Sequence, residues 1–342
     1  MNNKKINEVL KFLKKNSLLK KKKSCFLVGT TKKKTSQNYY FTPYRESQKT
    51  VYSGAILYDN DTAIKLAKKI DGKVNYVFVD IEKKITNTKD ILANIERATK
   101  SGIKKSIIKN YKPNDITVNS IENFIQDYYR KDRRGVGGKK ILILGTGNIG
   151  TKIAIRLLES GGNIFLFRRD KKKLKKINEV LNIIKPRHTK SISNTIISNQ
   201  LKFENYDVII GCADNKIKFK TINKLVKKPL IIDVGKGVFS QLDLNQLNKK
   251  NIPIFRIDIE NSLSSFIDAS VDNESFFESS FINKKNKFRL VKKGILGNAG
   301  DIIVDDVIKP KRIVGVCGKD GFLKNISIKK YKSLKKEIIK KK

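Results

Sequence analysis

Residues 139–170 read KKILILGTGNIGTKIAIRLLESGGNIFLFRRD, and the rest of the chain is arranged around this stretch. Lys140–Leu144 is a short apolar run of the kind that makes a buried parallel strand. Gly145, Gly147 and Gly150 follow it at G-x-G-x-x-G spacing, a pattern of strand, tight turn and helix. Gly145 permits the sharp turn, Gly147 lets the backbone approach a pyrophosphate, and Gly150 lets the helix pack closely on the sheet. Thr146, Asn148 and Ile149 complete the loop, where the free N–H groups and dipole of a helix N-terminus favour an anion. The helix is expected over about 148–160, with Ile149, Ile153, Ala154, Leu157 and Leu158 on one side and Gly161-Gly162 as its stop. Residues 163–167 form the next strand. That context, within about 30 residues, makes a dinucleotide-binding unit the expectation.

The end of the second strand selects the cofactor. An acidic residue there holds a ribose 2′-hydroxyl, whereas an Arg accommodates a 2′-phosphate. This chain has Arg168-Arg169, with Lys171, Lys172 and Lys173 beyond, so NADP is expected rather than NAD. Asp170 is the opposing consideration, as an acidic ligand placed slightly late.

At 342 residues the chain has room for two domains of ordinary size. No run has the 18 or so uncharged apolar residues of a membrane span, and the N-terminus lacks a signal-peptide core, so a soluble cytoplasmic protein is expected. The net charge of +43 comes from 63 Lys and only 12 Arg, spread over the whole length. Specific nucleic-acid readout leans on Arg and on clustering, so the excess reads as compositional drift, with nonspecific polyanion binding as a side effect and no specific nucleic-acid partner. Cys25, Cys212 and Cys317 are widely spaced and suggest neither a disulfide framework nor a zinc site. With His188 as the only histidine, mechanisms needing a His pair are excluded, and no metal site is expected.

Residues 1–24 read as a basic helix with Ile6, Val9, Leu10, Phe12, Leu13 and Leu18 on its apolar side, docked on its own domain or lying on a membrane surface. A strand over 24–28 leads to a long polar and aromatic loop ending at about 54, whose aromatics serve either binding or a satellite core. A helix over 61–70 and a strand over 75–79 follow; the latter ends in Asp80, Glu82, Lys83 and Lys84, at the carboxyl end where ligands of open α/β sheets bind. A helix over 90–100, the loop Lys112-Pro113-Asn114-Asp115 and a helix over 118–129 complete the first domain, and 131–138 reads as a hinge. After the opening unit come a helix over 171–181, strands over 207–212, 229–234 and 252–258, and helices over 221–227 and 242–250. This alternation is that of a doubly wound parallel sheet. In 260–342, residues 293–306 suggest a loop into a helix, 313–316 a strand, and the basic tail from 329 is expected to fray.

With GTGNIG at 145–150, FRRD at 167–170, DVIIGC at 207–212 and LIIDVG at 230–235, residues 141–258 resemble the NADP-binding Rossmann domain of glutamyl-tRNA reductases, shikimate dehydrogenases and methylenetetrahydrofolate dehydrogenases. The resemblance is to the superfamily. Cys25 in KSCFLVG does not match the nucleophile run of the first family, no Tyr-Lys pair matches the third, and Asn114-Asp115 is only loosely similar to the N-x-D run of the second. It implies an α/β chain with an N-terminal catalytic domain over 1–135, a doubly wound Rossmann domain over 136–262, and a segment over 263–342 returning to the cleft. In such a domain Cys212, Ala213 and Asp214, and Gly235 in the next exit loop, border the nicotinamide.

The function expected is an NADP-dependent oxidoreductase moving hydride to or from a small carbonyl, imine or methenyl-type substrate, as a homodimer. A Lys and carboxylate pair is the expected acid/base device, because burial can draw a Lys toward neutrality: Lys83 or Lys84 with Asp80, then Asp115. Two other readings stay open, a protein that holds or senses NADP without turnover, and a nucleic-acid binder acting through its lysines.

Overall fold

The chain divides into two compact units, 1–268 and 269–342. A computed structural model describes residues 3–30, 39–82, 94–196, 205–213, 217, 228–235 and 237–339, the side chains of Ser275 and Glu278 excepted.

The first unit opens with helix α1 (Asn3–Leu19), which buries Ile6, Val9, Leu10 and Leu13 and leaves Phe12 and Leu18 exposed. A helix with one apolar stripe docks along that stripe. Strand β1 (Lys23–Thr30) follows, then β2 (Tyr39–Glu46) and β3 (Thr50–Leu57), helix α2 (Asn60–Ile70), strand β4 (Tyr76–Asp80), helix α3 (Ile95–Ser101), strand β5 (Ile107–Tyr111) and helix α4 (Pro113–Tyr128). The sheet order is β2-β3-β1-β4-β5, parallel except for the antiparallel edge strand β2. Ile6, Leu13, Phe26, Val28, Leu66, Ile70, Val77 and Val79 share its core.

The expected long loop ending at about 54 is therefore corrected: its later part is a hairpin, and β3 pairs along its whole length with β1. The register of β2 on β3 shifts between Thr42 and Arg45, beside Pro43. Proline lacks the ladder N–H, which confines it to an edge strand or a bulge.

The second sheet is built from β6 (Lys140–Leu144), α5 (Asn148–Glu159), β7 (Asn163–Phe167), α6 (Lys171–Ile184), β8 (Ser193–Ile196), β9 (Val208–Gly211), β10 (Leu230–Asp233), α7 (Gln241–Lys249) and β11 (Ile254–Phe255). All its pairings are parallel and the order is β11-β10-β9-β6-β7-β8. The chain starts in the middle, winds outward to β8, then restarts at β9 and winds the other way, the doubly wound Rossmann order. The helix expected over 221–227 lies outside the described residues. Helix α8 (Glu260–Glu278) follows, and the unit boundary falls within it. Its first part lies on the first sheet: Tyr52 Oη and Ser264 Oγ are 2.9 Å apart, Arg45 Nε donates to Glu260 at 2.9 Å, and Phe266 packs edge-on to Phe78.

The second unit carries strands β12 (Ile282–Lys285), β13 (Phe288–Lys292), β14 (Ile302–Val304), β15 (Ile313–Cys317) and β16 (Leu323–Lys324), in that order in one mixed sheet, and helix α9 (Ile328–Ile338). Two expectations are corrected here. Residues 293–306 lead into a strand, β14, rather than a helix, because Ile302, Ile303 and Val304 pair on both sides. The basic tail is ordered as α9, capped by Ser327, with Leu334 and Ile338 buried against Leu290, Val304 and Ile313.

Candidate functional site

The order of the second sheet reverses between β6 and β9, and ligands of open α/β sheets bind at the carboxyl ends of strands beside such a reversal. The glycine loop is located there. Gly145 has φ +100°, a conformation that favours glycine, and a Cβ on it would come within 2.7 Å of the Ala213 amide nitrogen. A Cβ on Gly150 would collide with the Gly145 carbonyl oxygen and lie 3.3 Å from Cys212 Cβ. Gly235 is equally tight against the Ala213 carbonyl. Gly145, Gly150, Cys212, Ala213 and Gly235 thus form one close-packed group at the ends of β6, β9 and β10.

Gly147 differs from its neighbours. It is the N-cap of α5, it is exposed, and a Cβ there would meet nothing within 4 Å. No side chain caps α5, so its first-turn N–H groups lack the partner that such caps supply. Thr146 is 2% exposed, yet its hydroxyl has no hydrogen-bond partner among the described residues. An open glycine, an uncapped helix N-terminus and an orphan hydroxyl in one loop fit the phosphates of a dinucleotide. Asn148 is exposed, and Ile149 is half-buried and packs against the core of the second sheet.

Arg168 directly follows β7 and donates from Nη1 to the Thr146 carbonyl at 2.6 Å, which sets its guanidinium against the glycine loop. Arg169 is exposed beside it. The Asp170 carboxylate caps α6, accepting from the Lys173 N–H at 3.0 Å, and that bond leads the interactions that hold its pKa below the ordinary value. Burial and the nearby Asp233 charge push the Cys212 thiol up to about 12, so it stays a neutral lining group rather than a nucleophile. Asp233, which sequence reasoning passed over, is buried at the end of β10 and accepts from the Gly237 N–H at 2.9 Å, fixing the exit loop. Asp214 lies outside the described residues.

The carboxyl end of the first sheet holds the other candidates. Asp80 is 2% exposed; it accepts from the Thr30 hydroxyl at 2.9 Å and amide at 3.2 Å, and from the Glu82 amide at 2.8 Å. Glu82 in turn accepts from the Asn114 N–H at 2.8 Å, supplying the α4 N-terminus with the carboxylate that its N-cap, Lys112, cannot. Buried Tyr111 stands nearby, its phenol raised well above the ordinary value by burial and by the charges of Asp80 and Glu82. Asp115, in the first turn of α4, pairs with Lys152 of α5, and so ties this end of the first sheet to the glycine-loop helix. Lys83 and Lys84, expected to pair with Asp80, lie outside the described residues.

Thr30, Tyr111 and Lys152 were not legible as partners, because only strand register and helix packing bring them to these carboxylates. His188 is exposed. Among the described residues, no three His, Cys, Asp or Glu side chains group as metal ligands would, and no helix is long and apolar enough to cross a membrane.

Residues 140–237 match the family described as NADP oxidoreductase, coenzyme F420-dependent. Over 116 residues the chain is 28% identical to a glycerol-3-phosphate dehydrogenase [NAD(P)+] of Clostridium botulinum (strain Alaska E43 / Type E3), a match covering 30% of this chain and 34% of that enzyme. The chain thus matches only about a third of that relative's length. Solved structures similar to it include L-tryptophan dehydrogenase from Nostoc punctiforme (15% identity, 60% of this chain and 58% of that chain, TM-score 0.37). They also include a hetero-hexameric glutamate dehydrogenase from Thermus thermophilus (8% identity, 75% and 70%, TM-score 0.42). Superpositions this loose carry no weight beside the strand order itself. The parallel sheet reversing at β6 and the glycine loop make residues 140–237 a Rossmann-type domain, and its sequence is similar to an NADP oxidoreductase family.

Proposed function

We propose that the chain is an NADP-dependent oxidoreductase acting on a small carbonyl, imine or methenyl-type substrate. The observation that carries this reading is the loop at 145–150, open at Gly147 and backed by the guanidinium of Arg168. The dinucleotide, when bound, supplies the hydride chemistry. This chain's residues bind and orient it: the α5 amides and the Thr146 hydroxyl at the pyrophosphate, with Arg168 and Arg169 at a 2′-phosphate. The engagement of Asp170 as the cap of α6 favours the phosphate over a bare ribose hydroxyl at that end of β7.

In this reading residues 1–135 supply the substrate side and 136–262 the cofactor side, with the substrate at the carboxyl end of the first sheet. We assign the acid/base device to Lys83 or Lys84 with Asp80, whose carboxylate accepts hydrogen bonds from Thr30 and from the Glu82 amide. Glu82 and Asp115 connect that end through α4 to α5. Three unpaired cysteines suit a cytoplasmic setting. The test of turnover is NADPH consumption across a panel of small aldehydes, ketones, imines and methenyl compounds. Consumption that disappears in K83A or K84A supports the assignment, and consumption retained in full by both variants removes it.

A further inference from the structure

We propose that a groove at the amino end of the first sheet binds a small ligand carrying several phosphate groups, at a site separate from the glycine loop. The groove has a volume of about 900 Å³ and runs between α1 and the turn that precedes β4. Lys11, Lys14, Lys21, Lys22, Lys23 and Lys73 line it, and no Asp or Glu does. Lys22 is engaged, donating to the Glu46 carboxylate at 2.5 Å and to the Ser47 carbonyl at 2.5 Å. The other five ammonium groups have no carboxylate partner among the described residues.

Five like charges around one concavity repel one another, and concave walls focus that potential on whatever enters. A polyvalent anion is the ligand that relieves it, because phosphate oxygens accept from several ammonium groups at once. Lys21, which follows the end of α1 with φ +52° in the left-handed region, is among the lysines that line the groove. The volume lies within the range of about 300–1,000 Å³ typical of small-molecule sites, which favours a compact ligand over a nucleic-acid duplex.

Location separates this groove from the site already described. Lys23 and Ser24 begin β1, and Val74 and Asn75 immediately precede β4, whereas Thr30 and Asp80 stand at the opposite ends of those two parallel strands. The basic face of α1, which the oxidoreductase reading leaves unused, is thereby given a ligand.

The test is a calorimetric titration of the full chain with inorganic tripolyphosphate at near-physiological salt. The groove variant K11Q/K14Q/K73Q is compared with K329Q/K332Q/K336Q, which removes the same charge from the exposed face of α9. The expected result is saturable binding by the wild-type and α9-variant chains, weakened roughly tenfold or more in the groove variant. Affinity should be unchanged in R168A/R169A. Equal weakening in both lysine variants would assign the binding to diffuse charge and overturn the proposal. So would absence of binding, loss in R168A/R169A, or a preference for a single-stranded oligonucleotide over tripolyphosphate through the same lysines. Thermal melting checks the fold of each variant, and the single variants K14Q and K73Q, each expected to weaken binding several-fold, carry the test if the triple variant melts early.

Discussion

A methyl group added to Gly150 would have to displace the carbonyl of Gly145, whereas one added to Gly147 would meet only open space. The two glycines of one loop have opposite surroundings, as their different positions in the pattern lead one to expect, and that difference is testable. G150A should destabilise the fold by about 1–3 kcal/mol, the usual cost of forced overpacking. G147A should leave stability within about 0.5 kcal/mol, as for a surface substitution, yet weaken dinucleotide binding sharply. Thermal melts and NADPH titrations of the pair check this; a G147A chain that binds NADPH normally would mean the open space is not where the dinucleotide lies. A second prediction at this scale concerns pH. Burial leads the interactions that push Cys25 and Cys212 up to about 12, above an ordinary thiol value of about 8.5. The folded state therefore holds these protons more tightly than the unfolded one, and stability present below about pH 8.5 declines as pH rises toward 12. Melting temperature followed from neutral to alkaline pH should fall, and fall less steeply in C212A. Residue-level chemistry was partly legible in the sequence. The glycines at 145–150 announce themselves by spacing, whereas the bonds from Thr30 to Asp80 depend on the pairing of β1 with β4, which no local pattern encodes.

At the scale of elements, α1, α5 and the strands of the second sheet other than β8 were readable because long apolar stripes and uninterrupted apolar runs signal their period. Strand β8, Ser193–Ile196, was not, being largely polar and only four residues long. The hairpin of β2 and β3 was not, since Pro43 interrupts β2, and Ser53, Gly54 and Ala55 give the centre of β3 the composition of a turn. Of the small strands of the second unit, β15 was readable, expected over 313–316, whereas the others, two to five residues each, are too short to show a period. Helix α9 was hidden by its lysines, although Leu334, Ile338 and the Ser327 cap were present in the sequence. L334A should cost about 2–4 kcal/mol in the second unit, as for a large-to-small core change, and raise hydrogen exchange in β14 and β15. Between elements, the Asp115–Lys152 pair joins α4 to α5, with both side chains 37% exposed. Solvent screening limits such a pair to under about 1 kcal/mol. D115N should thus shift the melting temperature little. A large loss of turnover at unchanged stability would identify Asp115 as a chemical group, and parallel small losses of both would identify it as a strut.

For the whole molecule, the central claim is that a lysine-rich chain carries a specific dinucleotide site whose phosphate selectivity comes from two arginines at the end of β7. The net charge of +43 will draw many anions to this surface, so any binding measurement must separate the site from the charge. The most direct measurement is a fluorescence titration of the full chain with NADPH and with NADH, repeated at rising salt and with R168A and R169A. Tight, saturable binding of NADPH in preference to NADH, retained at moderate salt and lost in the arginine variants, is the result predicted. Equal affinity for the two dinucleotides, or binding that survives in both variants and vanishes with salt, would contradict it.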